Sequence, residues 1–145
     1  MPTHLRLLPI LSILLFSIFF LQSNSAIAQE EASTSSNYAY IALDPDIITN
    51  YAGDNSKKLG YLRLTIEMML DDPSKIGEIE HHMPLLRSLA IEVIGGKSEQ
   101  QVRSLTGREE IRRDILKSFR DILITETGSE IVKDIIFTKY LRQGG

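Results

Sequence analysis

Not one of the 145 residues is a cysteine. Without a thiol, no disulfide can staple the fold and no thiolate can hold a metal. A folded domain of this composition must therefore be held by its apolar core alone. A strong charge bias is missing as well: 16 Lys and Arg face 19 Asp and Glu, for a formal net charge of −3. That mildly acidic balance gives no general attraction to nucleic acid or to anionic lipid. There is no glycine-rich phosphate loop, no recognisable nucleophile–base pair, no calcium-loop spacing of oxygen ligands and no internal repeat.

One long apolar run is present, and it lies at the N-terminus. Met1–Arg6 carries the cation Arg6, Leu7–Leu21 is apolar apart from Pro9, Ser12 and Ser17, and Ala26-Ile27-Ala28 forms a small-x-small site before Gln29. That order reads as a secretion signal over residues 1–28. The competing reading is an uncleaved anchor, which calls for about 20 apolar residues; this run is shorter. Cleavage after Ala28 would remove Arg6 and no acid, taking the net charge from −3 to −4. The remainder, about 117 residues, is enough for one domain with its own core. Its predicted location is outside the cytoplasm, either released or held by the uncleaved segment.

Residues 29–37, Gln-Glu-Glu-Ala-Ser-Thr-Ser-Ser-Asn, read as a flexible leader. A folded domain is expected over 38–143. Tyr38–Leu43 is strand-like and stops at Asp44-Pro45-Asp46, Ile47–Tyr51 is β-branched and extended, and Gly53–Ser56 is turn chemistry. Leu62, Leu64, Ile66, Met68 and Leu70 alternate with polar residues, the pattern of a half-buried strand. Asp72 and Pro73 suit the start of a helix whose stripe is Ile76, Ile79, Met83, Leu86, Ala90 and Val93, with a kink or break expected near Pro84 and a stop at Gly95-Gly96. Ser98–Gln101 and Thr106–Glu109 have capping-box spacing. The second opens a helix with the stripe Ile111, Ile115, Phe119 and Ile122, capped by Gly128. Glu130–Gln143 has apolar residues on both faces, which predicts a central strand. The order β-β-α-α-β predicts an α+β, two-layer domain with helices packed on a mixed sheet of three or four strands.

Candidate chemistry is sparse. Glu78, Glu80, His81 and His82 are the nearest approach to a metal cluster, but adjacent histidines diverge by about 100° on a helix and a further ligand is lacking. The expectation is therefore no metal, no cofactor and no catalytic residue. Asp44, Asp46, Asp71 and Asp72 read as turn and cap residues. Arg108, Arg112, Arg113, Lys117 and Arg120 interleave with Glu109, Glu110, Asp114 and Asp121, which reads as a solvated helix face or a protein-docking surface. A small-ligand-binding module of the periplasm and a small exported hydrolase are the alternative functions.

Five short stretches in register carry a family resemblance. They are Tyr40-x-Ala-Leu-Asp44 with Asn50, the strand Tyr61–Leu70 ending in Asp-Asp, Met83-Pro84-x-x-Arg87-Ser88, Thr106-Gly107-Arg108-x-x-Ile111, and Asp134-Ile-Ile-Phe137-Thr138-x-Tyr140. Together they resemble the FliL flagellar basal-body proteins from about Tyr40 to Gln143. The resemblance implies a non-enzymatic structural and interaction protein of the flagellar motor, placed in the periplasm and either released or anchored in the inner membrane at the basal body. It further implies a stomatin (SPFH)-like domain that supports stator function or torque, assembles as a homo-oligomeric ring, and meets the membrane through its partners or an uncleaved N-terminus. It marks Asn50, Arg87, Gly107, Arg112, Phe137 and Thr138 as family-pattern structural positions. For four of them it implies jobs: a strand-end polar contact for Asn50, a helix-face ion pair for Arg87, a tight helix start for Gly107 and core packing for Phe137. Relatives carry a full transmembrane helix before this domain, so a cleavable leader here would make a soluble paralogue.

Overall fold

A computed structural model of the protein describes residues 37–52 and 59–144. The leader 1–28, all but the last residue of the stretch 29–37, and the turn expected at Gly53–Ser56 lie outside the described residues. Within them the order is β1 (Ala39–Ala42), β2 (Ile47–Tyr51), β3 (Gly60–Leu70), a 3-10 turn (Pro73–Lys75), α1 (Ile76–Gly95), α2 (Glu99–Arg103), α3 (Leu105–Thr127) and β4 (Val132–Gln143).

β3 is the spine. Leu62, Leu64, Ile66, Met68 and Leu70 are fully buried while the residues between them stay in contact with solvent. A strand with that alternation must cover one face only, and the helices cover it. Ile79, Leu86, Ala90 and Ile94 of α1 and Ile111, Ile115, Phe119 and Leu123 of α3 close over the sheet. Each of these buried side chains larger than alanine contributes about 1.5–3 kcal/mol, which is how a chain without disulfides holds together. β1 and β2 lie end to end along one side of β3, and β4 runs along the other. The fold class is α+β as expected, but the sheet is antiparallel throughout its strands rather than mixed; one isolated parallel bridge joins Ala52 to Ser98.

The helix signals hold in part. Asp72 accepts from the Ser74 amide at 2.9 Å, Ser98 and Gln101 form the reciprocal capping box, and Gly128 adopts φ 75° beyond the end of α3. The cap of α3 is a correction: Ser104, not Thr106, accepts the Gly107 amide, so the helix begins at Leu105. α1 runs without a break through Pro84. Pro84 and Glu80 both lie on the exposed side of the helix, where water can take the carbonyl that proline leaves unpaired. At the end of the α3 stripe it is Leu123 that is fully buried, and Ile122 only partly.

β4 is an edge strand, not the central one. The expectation failed because two bulges rephase its pattern. Lys133 and Thr138 are each extra residues in the register with β3, which jumps from Asp134 to Val132 and from Lys139 to Phe137. A bulge shifts the side-chain alternation by one. Val132 and Ile135 therefore share the core face, and Phe137 and Tyr140 do too, although neither pair fits a regular period of two.

Between β1 and β2 the chain turns through Leu43–Asp46, with a cis peptide before Pro45. Asp46 closes the gap. Its carboxylate accepts from Arg63 Nε at 2.7 Å, from Lys139 Nζ at 2.8 Å and from the Thr65 hydroxyl, tying the split edge to β3 and β4. These hydrogen bonds, led by that from Lys139, hold the Asp46 carboxyl well below its ordinary pKa of 3.8. Because the unfolded chain takes up this proton first, the stabilisation is complete above the ordinary carboxylate range and is lost as pH falls toward the depressed folded-state value. Asp46→Asn is expected to lower the thermal midpoint by a few degrees at neutral pH. Midpoints followed by circular dichroism should converge between the two proteins as the pH is lowered below about 4; parallel curves would place the acid sensitivity elsewhere.

Candidate docking surface at the α3–β4 seam

An edge strand leaves alternate backbone groups unpaired, and such an edge invites another strand. The direction of those groups follows from one bond. Leu43 donates to the Ile66 carbonyl at 2.8 Å, so even-numbered residues of β3 aim their backbone at β1 and β2. The β4 residues opposite them, Val132, Ile135 and Phe137, then aim theirs outward. α3 answers with three arginines. Arg120 Nε donates to Val132 O at 3.0 Å and its guanidinium also reaches Lys133 O. Arg112 Nη1 donates to Ile135 O at 3.2 Å and Arg108 Nη2 to Phe137 O at 3.4 Å. The seam is thus a ladder of guanidinium groups over carbonyls, and much of the helix face that read as solvated is committed to the strand.

Arg112 is the best-anchored rung. It also pairs with Glu109 at 2.7 Å and with Asp134 across the seam. Its guanidinium pKa is raised, first by its hydrogen bond to Glu109, and the Glu109 carboxyl is lowered by the same contact. Arg108 lies with its guanidinium carbon 4.8 Å from the centre of the Tyr140 ring, within reach of a cation–π attraction. Tyr140 stacks on Phe137 at 5.8 Å and donates its hydroxyl to Val102 O at 3.0 Å, locking β4 to α2. Burial raises the Tyr140 pKa above its ordinary value.

Over this seam runs a groove of about 280 Å³ lined by Leu105, Arg108, Glu109, Arg112, Ile136 and Phe137. Its two outer walls are apolar and open: Leu105 is 85% exposed and Ile136 44%. An anchored cationic floor between exposed aliphatic walls can take a protein segment that presents an apolar side chain beside a carboxylate. It offers no nucleophile and no paired acid and base.

Of the six family-pattern positions, Arg112 and Phe137 line this groove. Gly107 sits one residue before Arg108, where α3 crosses α2 so closely that a Cβ would overlap the Gln101 carbonyl. Thr138 is the bulge that brings Phe137 and Tyr140 to one face. Arg87 and Asn50 lie elsewhere. Arg87 makes no ion pair among the described residues; it donates to the carbonyls of Leu43 and Pro45, bracing the turn of the split edge from α1. Asn50 is exposed on β2, in register with Tyr61.

Sequence reasoning gave no role to Leu105, and none to Asp46 beyond its turn. The bond partners of Asp46 lie 17, 19 and 93 residues away, so no local spacing could reveal them. Leu105 had a signal, an apolar residue directly after a serine at a helix start, but nothing in a sequence tells that its side chain stays in water. Glu78 is engaged by Lys75 at 2.7 Å, and the imidazoles of His81 and His82 meet edge to face at 5.0 Å. Among the described residues no group of three or more His, Asp or Glu could hold a metal ion. Among them, too, no helix is long and apolar enough to cross a membrane.

Comparison with known proteins bears on the whole of this domain. Residues 40–143 match the family described as "Flagellar basal body-associated protein FliL". The "Flagellar protein FliL" of Aquifex aeolicus (strain VF5) is 30% identical over 101 residues, covering 70% of this chain and 59% of that protein. The match takes in both sides of the seam, the split edge and the bulged last strand, and the chain belongs to the FliL family of flagellar basal body-associated proteins.

Proposed function

We propose that this protein is a non-enzymatic accessory of the bacterial flagellar motor, exported to the periplasm, that supports stator function or torque by binding motor components. The family match over residues 40–143 carries the reading. The groove over the arginine ladder supports it, because a floor of hydrogen-bonded arginines with exposed Leu105 and Ile136 is suited to docking. Assembly as a homo-oligomeric ring, a stomatin-like fold relationship and contact with the inner membrane belong to the same proposal.

A deletion strain scored on soft agar and in viscous medium tests it. Swimming should be impaired while filaments remain visible, and the native gene should restore it. Normal motility of the deletion strain in both media would sink the motor reading. Leu105→Asp tests the groove separately. Leu105 is exposed, so surface substitution there should change stability by less than about 0.5 kcal/mol. The variant should fold and accumulate but fail to restore motility. Full rescue by Leu105→Asp would move the docking surface elsewhere and leave the motor role standing.

A further inference from the structure

The face of the sheet turned away from the helices bears more apolar surface than a solvated face requires. Tyr40 is 58% exposed, Ile48 65%, Tyr61 46% and Leu141 57%, with Ile136 beside them. Residues in register form rows across it. One row is Ile48–Arg63–Leu141, the central row holds Thr65 and Lys139 beside Asp46, and the next is Ala42–Glu67–Ile136. Beyond the first lies Tyr61, and beyond the third lies Met69. The face is therefore apolar at both ends and polarised along the strands, with Arg63 on one side of Thr65 and Glu67 on the other.

We propose that this face is a self-complementary interface that pairs with a second copy of the chain through a two-fold axis. The axis crosses the strands at Thr65. Rotation about it turns one sheet over onto the other with strands reversed, so the outer rows meet their opposites. Thr65, Lys139 and Asp46 lie on the axis and meet their own copies as an already paired cluster. Arg63 then faces the partner's Glu67 twice over, Leu141 packs on the partner's Ile136, and Tyr61 on the partner's Met69. The charges select this arrangement. The alternative two-fold, with its axis along the strands, would set Arg63 against Arg63 and Glu67 against Glu67, at a cost in affinity. It would also set Lys139 opposite the partner's Asp46, but those two groups are already paired within each copy. The net positive Asp46–Arg63–Lys139 cluster is then left facing itself and away from Glu67. Arg63 is available for the pairing: only its Nε is used by Asp46, and its side chain is 52% exposed. Glu67 makes no ion pair among the described residues. Sheets packed face to face lie about 10 Å apart with strands within about 30° of each other, a spacing that these aliphatic and aromatic side chains can fill. Such a contact uses the same patch on both copies and closes at two. It is thus separate from the head-to-tail contacts that a ring needs.

The absence of cysteine makes the test clean. Tyr61→Cys and Met69→Cys are introduced singly into the full-length chain, carried on differently tagged copies in one cell, and treated with a short bismaleimide. A bismaleimide is preferred to oxidation because a sheet separation of about 10 Å holds the two Cβ atoms beyond disulfide reach. The expected product is the mixed Tyr61→Cys with Met69→Cys dimer, in excess over either self-linked species. Adding Glu67→Lys to both copies should lower that product by about tenfold, because it sets like charges face to face. Self-linked Tyr61→Cys dominating the gel, a cross-link only to a different protein, no cross-link at all, or a yield untouched by Glu67→Lys would each overturn the proposal.

Discussion

Gly107→Ala is expected to destabilise the domain by about 2–3 kcal/mol, against the direction that helix preference predicts. In a helix interior alanine is favoured over glycine by up to about 1 kcal/mol. Gly107, however, lies in the first turn of α3 where the chain has just left α2, and a Cβ there would overlap the carbonyl, carbonyl carbon and Cα of Gln101. Backbone cannot swing aside as the end of a lysine can, so α2 and α3 must separate, and overpacking of this kind costs about 1–3 kcal/mol or somewhat more. The separation would also pull Val102 away from the Tyr140 hydroxyl. Gly77, in α1, supplies the control. A Cβ there meets nothing within 4 Å, so Gly77→Ala should stabilise by about 0.5–1 kcal/mol. Urea unfolding of the two variants should move the midpoint in opposite directions. Equal shifts of one sign would mean that propensity, not the helix crossing, governs position 107.

Phe119→Ala should remove about 3–5 kcal/mol of stability, the upper range for truncating one core side chain. Phe119 is fully buried, with Tyr51 among the largest side chains at the centre of the core, and no disulfide compensates for its loss. Against a typical domain stability of about 5–15 kcal/mol, a cavity of that size brings the protein close to unfolding. Ile122→Ala, one turn along the same helix, should cost visibly less because Ile122 is only partly buried. Calorimetry on both variants checks the ranking; comparable losses would contradict the orientation of α3 on the sheet.

The difference between those two residues shows where local pattern runs out. Ile111, Ile115, Phe119 and Ile122 fit a helical stripe equally well on paper. How α3 rolls against β3 and β4 decides that Leu123 goes fully inside and Ile122 stays at the margin. The arginines follow the same logic. Glu109, Arg112 and Arg113 at spacings of three and four read as surface pairs, and Glu109 does meet both arginines. That Arg108, Arg112 and Arg120 also cover the open edge of a strand more than ten residues downstream depends on where the chain returns, which no spacing encodes.

The sequence by itself determined what is local and periodic: the five-residue inward face of β3, the helices either side of Ser98, the caps at Asp72, Ser98 and Gly128, the α+β class and the ordered motifs of the FliL family. Periodicity is written by burial one element at a time, and capping chemistry reaches only three or four residues. The tertiary structure alone decided that β4 is an edge strand rephased by bulges at Lys133 and Thr138, that Asp46 ties three strands together, that Gly107 is a point of helix contact, and that Leu105 and the outer face of the sheet remain open. Each of these depends on groups brought together from distant parts of the chain, and only the closed fold sets that distance.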